Sequence, residues 1–295
     1  MTLLDCIRIV LVEPAGARNV GSIARVMKNM GLQQLWIVNP ECDPQGIEAQ
    51  HMAVHAKEIL ASARIVDSLP AALQGCYRSI ATVGRETTRS VEPLRSVIPW
   101  LLDRAATGTE NQPVDYPVAI VFGREDHGLS NEELQYAQRL VTIPSNPAYP
   151  SLNLAQAVGI VCYEVLQAQG NGAAAIAPNP IVGIPPSGEP PASFQALEAF
   201  YQGLEALLLQ IGYLYPQTAF SRMQKFRSLL NRSQPSTAEV SMLRGILRQA
   251  HWALGHGRST KSQSACRIGE DTTADPSTDR GTEDDPVGSD SSQLI

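Results

Sequence analysis

The feature that most constrains this chain is the alternation, over residues 1 to about 168, of short apolar runs with stretches of helical periodicity. The runs are Ile7 to Glu13 (IRIVLVE), Leu35 to Asn39 (LWIVN), Ser79 to Val83 (SIATV), Val118 to Phe122 (VAIVF) and Leu140 to Ile143 (LVTI). They are β-branched-rich and mostly apolar, as strands covered on both faces are. Between the first two lies an amphipathic segment, Val20 to Met30. Strands that alternate with helices at this spacing predict an α/β domain with a largely parallel sheet. Periodicity alone points to an open, doubly wound one.

Beyond this domain the character of the chain changes twice. Residues 169–193 are rich in Gly, Ala and Pro, and with this many prolines the segment cannot hold a helix and predicts a linker. Residues 194–256 then carry three helical patterns. The first runs from Phe194 to Ile211, with Leu197, Phe200, Leu204, Leu207, Leu208 and Ile211 on its apolar stripe. The second covers Ala219 to Asn231. The third is capped by Ser236 or Thr237, with Glu239 in its first turn, and runs to about Leu254. From Gly257 to Ile295 the chain is polar and rich in Ser, Thr and Asp, too poor in apolar surface to offset chain entropy, and is expected to be a disordered acidic tail.

Composition removes several function classes. The five cysteines (Cys6, Cys42, Cys76, Cys162, Cys266) are scattered, without a C-x-x-C pair, so neither a disulfide framework nor a zinc site is encoded, and no metal is expected. No stretch reaches the roughly 20 apolar residues that span a bilayer. Asp5 and the lack of a basic start ahead of the first run argue against a cleaved leader, so the expected location is cytoplasmic. The net charge of −6 is partly a property of the tail, where four Lys and Arg face eight Asp and Glu, while residues 190–256 are mildly basic. Charge alone therefore neither predicts nor excludes nucleic acid.

Three separated clusters carry candidate chemistry. Glu13 to Gly31 (EPAGARNVGSIARVMKNMG) leads from a strand into a helix expected to begin near Val20, placing Gly21, Ser22 and Arg25 about an anion-favouring helix N-terminus, with Asn19 and Arg25 able to face one pocket. It lacks the G-x-G-x-x-G spacing of a dinucleotide loop. Val118 to Leu134 (VAIVFGREDHGLSNEEL) delivers Gly123, Arg124, Glu125 and Asp126 at a strand end, the usual address of ligands in α/β sheets, and Ser130 with Glu133 forms a capping box. Ile143 to Leu166 stiffens a loop with prolines before Ser151 and Asn153, at the mouth of an apolar helix that Ser151 is suited to cap.

In this order the clusters resemble the three motifs of the SPOUT methyltransferases of the TrmH superfamily: Asn19, Gly21 and Arg25; then Phe122, Gly123 and Glu125; then Ser151, Leu152 and Asn153. The wording ARVMKNMGL, FGREDHGLSNEEL and NPAYPSLNLAQAV is most similar to the TrmJ group, and LRGILRQ resembles that group's C-terminal segment. The resemblance covers residues 5–168 and, more loosely, the helical module.

That resemblance implies an α/β sheet with a trefoil knot, S-adenosyl-L-methionine as cofactor, and a homodimer in which both subunits contribute to each site. It implies 2'-O-methylation of a tRNA ribose, at nucleotide 32 of the anticodon loop. Carried over position by position, the cofactor pocket would use Thr82, Val83, Gly84, Gly123, Ile143, Pro150, Ser151 and Leu152; the family commonly has a small polar residue where Val83 stands. The catalytic set would be Arg25, Asn19, Glu125, Ser151 and Asn153. The family proposal makes the residue at Arg25 a general base, but arginine stays protonated. The expectation here is that Arg25 holds an RNA phosphate and stabilises developing alkoxide charge. RNA contacts are expected from Arg18, Lys28, Arg85, Arg222, Lys225, Arg227, Arg232, Arg244 and Arg248. Two alternatives remain open: a relative acting on rRNA or another tRNA position, and a non-catalytic RNA-binding protein on the same scaffold.

Overall fold

The computed structural model describes residues 3–84, 87, 89–103, 117–170 and 190–265. By contacts the chain divides into a unit of residues 1–250 and a second, 251–295. In order, the first unit holds β1 (Ile7–Val12), α1 (Ala17–Asn29), β2 (Gln34–Val38), α2 (Ile47–Ala53), α3 (Lys57–Ala61), β3 (Arg64–Val66), α4 (Leu69–Ala72), β4 (Arg78–Thr82), β5 (Val91–Pro93), α5 (Leu94–Leu102), β6 (Val118–Phe122), α6 (Asn131–Leu134), β7 (Arg139–Thr142), α7 (Leu154–Gly170), α8 (Phe194–Gln210) and α9 (Pro216–Ser233). A last helix, α10 (Thr237–Ala265), begins in it.

Among the described residues the strands form one seven-stranded, all-parallel sheet in the order β3-β2-β1-β6-β4-β7-β5. Along β1 the side chains alternate between two cores. Ile7, Ile9 and Leu11 pack with Val20, Ile23, Met27, Val97, Val158 and Val161. Val10 and Val12 pack on the opposite face with Leu69, Leu73, Leu129 and Leu134. This double coverage is why the runs read as continuously apolar.

The order is not that of the open sheet periodicity suggests. β7, last in sequence, lies between β4 and β5, so a late segment enters a gap whose walls were laid down earlier. Interior parallel strands look alike in sequence, so strand order is set by packing and cannot be read from period. β3 and β5 were also not foreseen: each is three residues long and lies at a sheet edge, where short strands and a proline such as Pro93 belong.

Two strand arginines are buried because their charge is met by carbonyls and rings. Arg8 donates to Ala72 O at 3.0 Å and Gln74 O at 2.6 Å, and stacks on Trp36 at 4.4 Å. Arg78 donates to Trp100 O and to Asp103 O, and burial lowers its pKa to about 10. Cys6, Cys76 and Cys162 are buried thiols, and burial raises Cys76 to about 11 and Cys162 to about 12; Cys266 lies outside the described residues.

The predicted linker falls largely on residues 171–189, outside the described ones. Its end is ordered: Ala192 N–H donates to Pro235 O at 2.9 Å and Thr237 N–H to Pro190 O at 3.1 Å. Phe194 N–H donates to Cys76 O at 2.9 Å, and the Phe194 ring meets Tyr136 edge-on at 6.1 Å, seating α8 against the sheet domain. Helix α9 starts at Pro216, ahead of the predicted Ala219, since Pro is well placed at the first helical position. Ser236 and Glu239 cap α10 reciprocally. That helix continues past the predicted end near Leu254 to Ala265, because polarity opposes packing, not helical backbone; residues 266–295 lie outside the described ones.

Gly21 sits where α1 crosses α2. A Cβ there would drive into the Ala49 carbonyl oxygen and come within 2.8 Å of Met52 Cβ, whereas at Gly245 in α10 it would meet nothing within 4 Å. Gly21→Ala is therefore expected to lower stability by about 1–3 kcal/mol despite the better helix propensity of alanine. Gly245→Ala should raise it by up to about 1 kcal/mol. Urea-unfolding midpoints of the two variants test the opposite signs.

Candidate functional site

The loop after β6 turns back on itself. Arg124 and Gly128 exchange backbone hydrogen bonds of 3.3 and 3.1 Å, Gly128 has φ +71°, and Gly123 lies so close beneath that a Cβ would come within 2.7 Å of Gly128 Cα. Two neighbouring residues leave this turn for different partners. Arg124 is gripped by two carboxylates: its Nε donates to Glu13 at 2.6 Å, and its Nη1 and Nη2 to Glu133 at 2.9 and 3.0 Å. Glu133 also accepts from Ser130 N–H at 2.7 Å, completing the predicted capping box of α6. Hydrogen bonds donated to Glu133, and to Glu13 against the cost of burial, raise the Arg124 pKa further, so the guanidinium is a fixed cation.

Glu125 instead reaches the start of α1. Its carboxylate accepts from Ala15 N–H at 3.1 Å, Gly16 N–H at 3.1 Å and Asn19 Nδ2 at 2.9 Å. Burial pushes its pKa up, but the hydrogen bonds from Asn19, Ala15 and Gly16 outweigh it, and the net direction is below the ordinary carboxylate value. Asn19 Oδ1 accepts from Asn153 Nδ2 at 3.2 Å, and Asn153 Oδ1 accepts from Ala155 N–H at 2.9 Å, capping α7. A carboxylate can only accept, so it fixes which end of the Asn19 amide faces it, and Asn19 in turn orients Asn153. One polar chain thus joins the three sequence clusters.

Beside it opens a cavity of about 350 Å³. All eight sequence-predicted cofactor residues (Thr82, Val83, Gly84, Gly123, Ile143, Pro150, Ser151 and Leu152) line it, and so does Glu125. Thr82 Oγ1 donates to Val121 O at 3.2 Å, and Ser145 Oγ to Pro150 O at 3.0 Å, bracing two of its walls. The cofactor set carried over from the resemblance omits Arg124, Asp126, His127, Leu129, Leu154 and Ala157, which also line the cavity; the second cluster had placed Arg124 and Asp126 at a ligand address, and His127 and Leu129 share that loop. Asp126 and His127 pair at the exposed rim, Nδ1 to Oδ1 2.5 Å.

Four expectations change. Helix α1 begins at Ala17, not near Val20, so its N-terminus is answered by Glu125 and not by Gly21, Ser22 and Arg25. Gly21 serves helix packing. The α7 cap is Asn153, which leaves the Ser151 hydroxyl without a hydrogen bond among the described residues. Arg25, six residues beyond Asn19 on one helix, points elsewhere: it is exposed, does not line the cavity, and has no ion pair among the described residues.

Among the described residues no His, Cys, Asp and Glu cluster could hold a metal, and no helix is long and apolar enough to cross a membrane. Of the expected RNA contacts, Arg227 is only 12% exposed, paired with Glu198 and stacked on Tyr201 at 4.3 Å. Lys28 is bound to Glu58 and to His55 O. Arg18, Arg222, Lys225, Arg232, Arg244 and Arg248 are exposed, and Arg85 lies outside the described residues.

Comparison with known proteins gives two family matches: the SpoU rRNA methylase family over residues 6–163, and the C-terminal domain of the tRNA methyltransferase TrmJ over residues 195–264. The chain is 42% identical over 255 residues to the tRNA (cytidine/uridine-2'-O-)-methyltransferase TrmJ of Pectobacterium atrosepticum, covering 83% of this chain and 96% of that protein. It is 40% identical to the Salmonella typhimurium protein of the same name, with the same coverage. Among solved structures, TrmJ from Z. mobilis superposes with a TM-score of 0.67 at 30% identity, covering 83% of this chain and 98% of that one.

The depressed Glu125 pKa has a consequence for stability. Its contribution is present above the unfolded carboxylate value of about 4.3 and is lost as pH falls through the lower folded value. The stability difference between the wild type and Glu125→Gln should therefore be largest near neutrality and shrink below about pH 4. Urea titrations of both proteins from neutral to acid pH measure it, and a difference constant over that range would contradict the clamp.

Proposed function

The chain belongs to the SpoU methylase family and carries a TrmJ-type C-terminal domain, and on that premise we propose that it transfers a methyl group from S-adenosylmethionine to a ribose 2'-hydroxyl of tRNA, at nucleotide 32 of the anticodon loop. The observation that carries the reading is the joining of Asn19, Glu125 and Asn153 by hydrogen bonds beside one cavity lined by the eight cofactor-pocket residues.

The cavity suits the cofactor on its own chemistry. It is of nucleoside scale, its walls offer both apolar and polar groups, and at Gly84 a Cβ would meet nothing of the protein closer than Ser151 Cα at 3.9 Å. The bare backbone at Gly84 is thus not demanded by internal packing; it leaves peptide groups open to a ligand. Thr82, Val83, Gly84, Gly123, Ile143, Pro150, Ser151 and Leu152 would hold the cofactor, which when bound supplies a methyl group activated by sulfonium. Glu125, Asn19 and Asn153 keep the walls in register, and Ser151 offers a hydroxyl at the mouth.

Arg25 is the group for the RNA phosphate and for developing alkoxide charge, the proton leaving to that phosphate or to water. Within one chain it stands away from the cavity, which supports a homodimer in which a second copy completes each site. Helix α7 beside α1 exposes Ile160 and Tyr163, an apolar surface consistent with that assembly. A cytoplasmic location agrees with a tRNA substrate.

Two measurements test this reading. Gly84→Ala should fold as the wild type yet bind S-adenosylhomocysteine on the order of tenfold more weakly by calorimetry; unchanged affinity would move the cofactor elsewhere. Mass spectrometry of tRNA from a strain lacking the protein should show the ribose at nucleotide 32 unmethylated. Restoration by the wild type and a roughly 100-fold slower turnover of Arg25→Lys are expected, and near-normal Arg25→Lys turnover across pH would remove the guanidinium role.

A further inference from the structure

Helix α9 has two faces of opposite use. Ala219, Met223 and the paired Arg227 face inward. Arg222, Lys225, Phe226 and Leu229, at spacings of three and four, share the outer face, and Leu229 is 55% exposed. Against this face lies Tyr213, from the turn between α8 and α9. It is 53% exposed but held on every backbone side. Its N–H donates to Leu208 O at 2.9 Å, its carbonyl accepts from Arg222 Nη1 at 2.9 Å, and the next residue, Leu214, is buried. The Arg222 guanidinium lies 5.7 Å from the Tyr213 ring centroid, and the Phe226 ring meets that ring edge-on at 6.5 Å.

Tyr213 is thus a solvent-facing aromatic, fixed through its backbone, beside the Arg222 cation, with Lys225 exposed on the same helix. No Asp or Glu occurs between Glu205 and Glu239, in a protein of net charge −6, and Glu198 of α8 is spent on Arg227. A self-association face needs apolar area without concentrated like charge, and a peptide partner would have to be acidic. An unpaired nucleotide offers both complements at once: a base to stack on the ring and a phosphate for the cations.

We propose that Tyr213, Arg222, Lys225, Phe226 and Leu229 form a stacking platform for an unpaired segment of the RNA substrate, distinct from the methyl-transfer cavity. The platform rests on the RNA-modifying reading above and names a second place where the RNA is held. Cations draw in the phosphates, and the pre-ordered tyrosine takes the base with little entropy to lose.

The full-length protein is titrated into a fluorescent single-stranded RNA of about ten nucleotides that contains 2-aminopurine. Stacking should quench the 2-aminopurine in the wild type and in Tyr213→Phe. Tyr213→Ala should lose the quench and bind about five- to thirtyfold more weakly. Lys225→Glu, on an exposed position, should weaken binding and reduce the slope of log affinity against log salt by at least about 0.7. An unquenched wild type, or Tyr213→Ala and Lys225→Glu both within twofold of it, overturns the platform. Ribose methylation of tRNA measured in parallel separates the two ideas: Tyr213-dependent RNA binding without any methylation sinks the methyltransferase reading alone, and methylation with Tyr213-independent binding sinks the platform alone.

Discussion

The Glu125 carboxylate is the tie on which the rest of the site hangs. It comes from a loop after β6 and accepts three hydrogen bonds from the start of α1, more than a hundred residues earlier in the chain. A helix start carries unpaired N–H groups and a partial positive charge, the usual seat of a bound anion. Here the protein supplies the anion itself. The helix N-terminus of the first cluster is therefore already answered, and Asn19, its amide oriented by Glu125, orients Asn153 in turn. Because Asn153 caps α7, the same chain fixes where the preceding loop, Pro144 to Leu152, meets the cavity.

Arg124 provides the counterpart on the other side of the turn. Flanked by Glu13 and Glu133, it pins the end of β1 to the first turn of α6, and Glu13 is held at φ +46°, a conformation a non-glycine residue seldom adopts. Adjacent residues of opposite charge thus reach two different helices, and the tight Gly123–Gly128 turn between them has no space for a Cβ at Gly123. Arg124 and Glu125, two charges of the cavity wall, are thus each answered by protein.

Much of this was legible in the sequence, for identifiable reasons. The five longer strands announced themselves because burial on both faces leaves an unbroken apolar run. The capping boxes at Ser130–Glu133 and Ser236–Glu239 are local chemistry and could be read three residues apart. The edge strands Arg64–Val66 and Val91–Pro93 carry too few residues to show a period. The start of α1 was misplaced because its cap is Gly16 and its anion comes from residue 125, so no nearby residue signals it. Gly21 looked like a ligand glycine only because the backbone of α2, which it accommodates, is invisible in sequence.

The cations make the same point about function. Arg8, Arg78, Arg124 and Arg227 all count toward the formal charge, yet each is spent inside the fold on carbonyls, rings or carboxylates. Charge counted from composition therefore overstates what RNA can meet, and it also hides where that charge is. Arg222 and Arg227 differ by five residues on one helix, and a helical turn sends one outward to Tyr213 and the other inward to Glu198. Other cations, among them Arg18, Arg25, Arg222, Lys225, Arg232, Arg244 and Arg248, are exposed. On the proposed reading an acidic protein would hold a polyanion by where these stand: Arg25 where a second copy would bring the cavity, and Arg222 against the Tyr213 ring with Lys225 on the same helix. On that reading position, not sum, would decide the affinity.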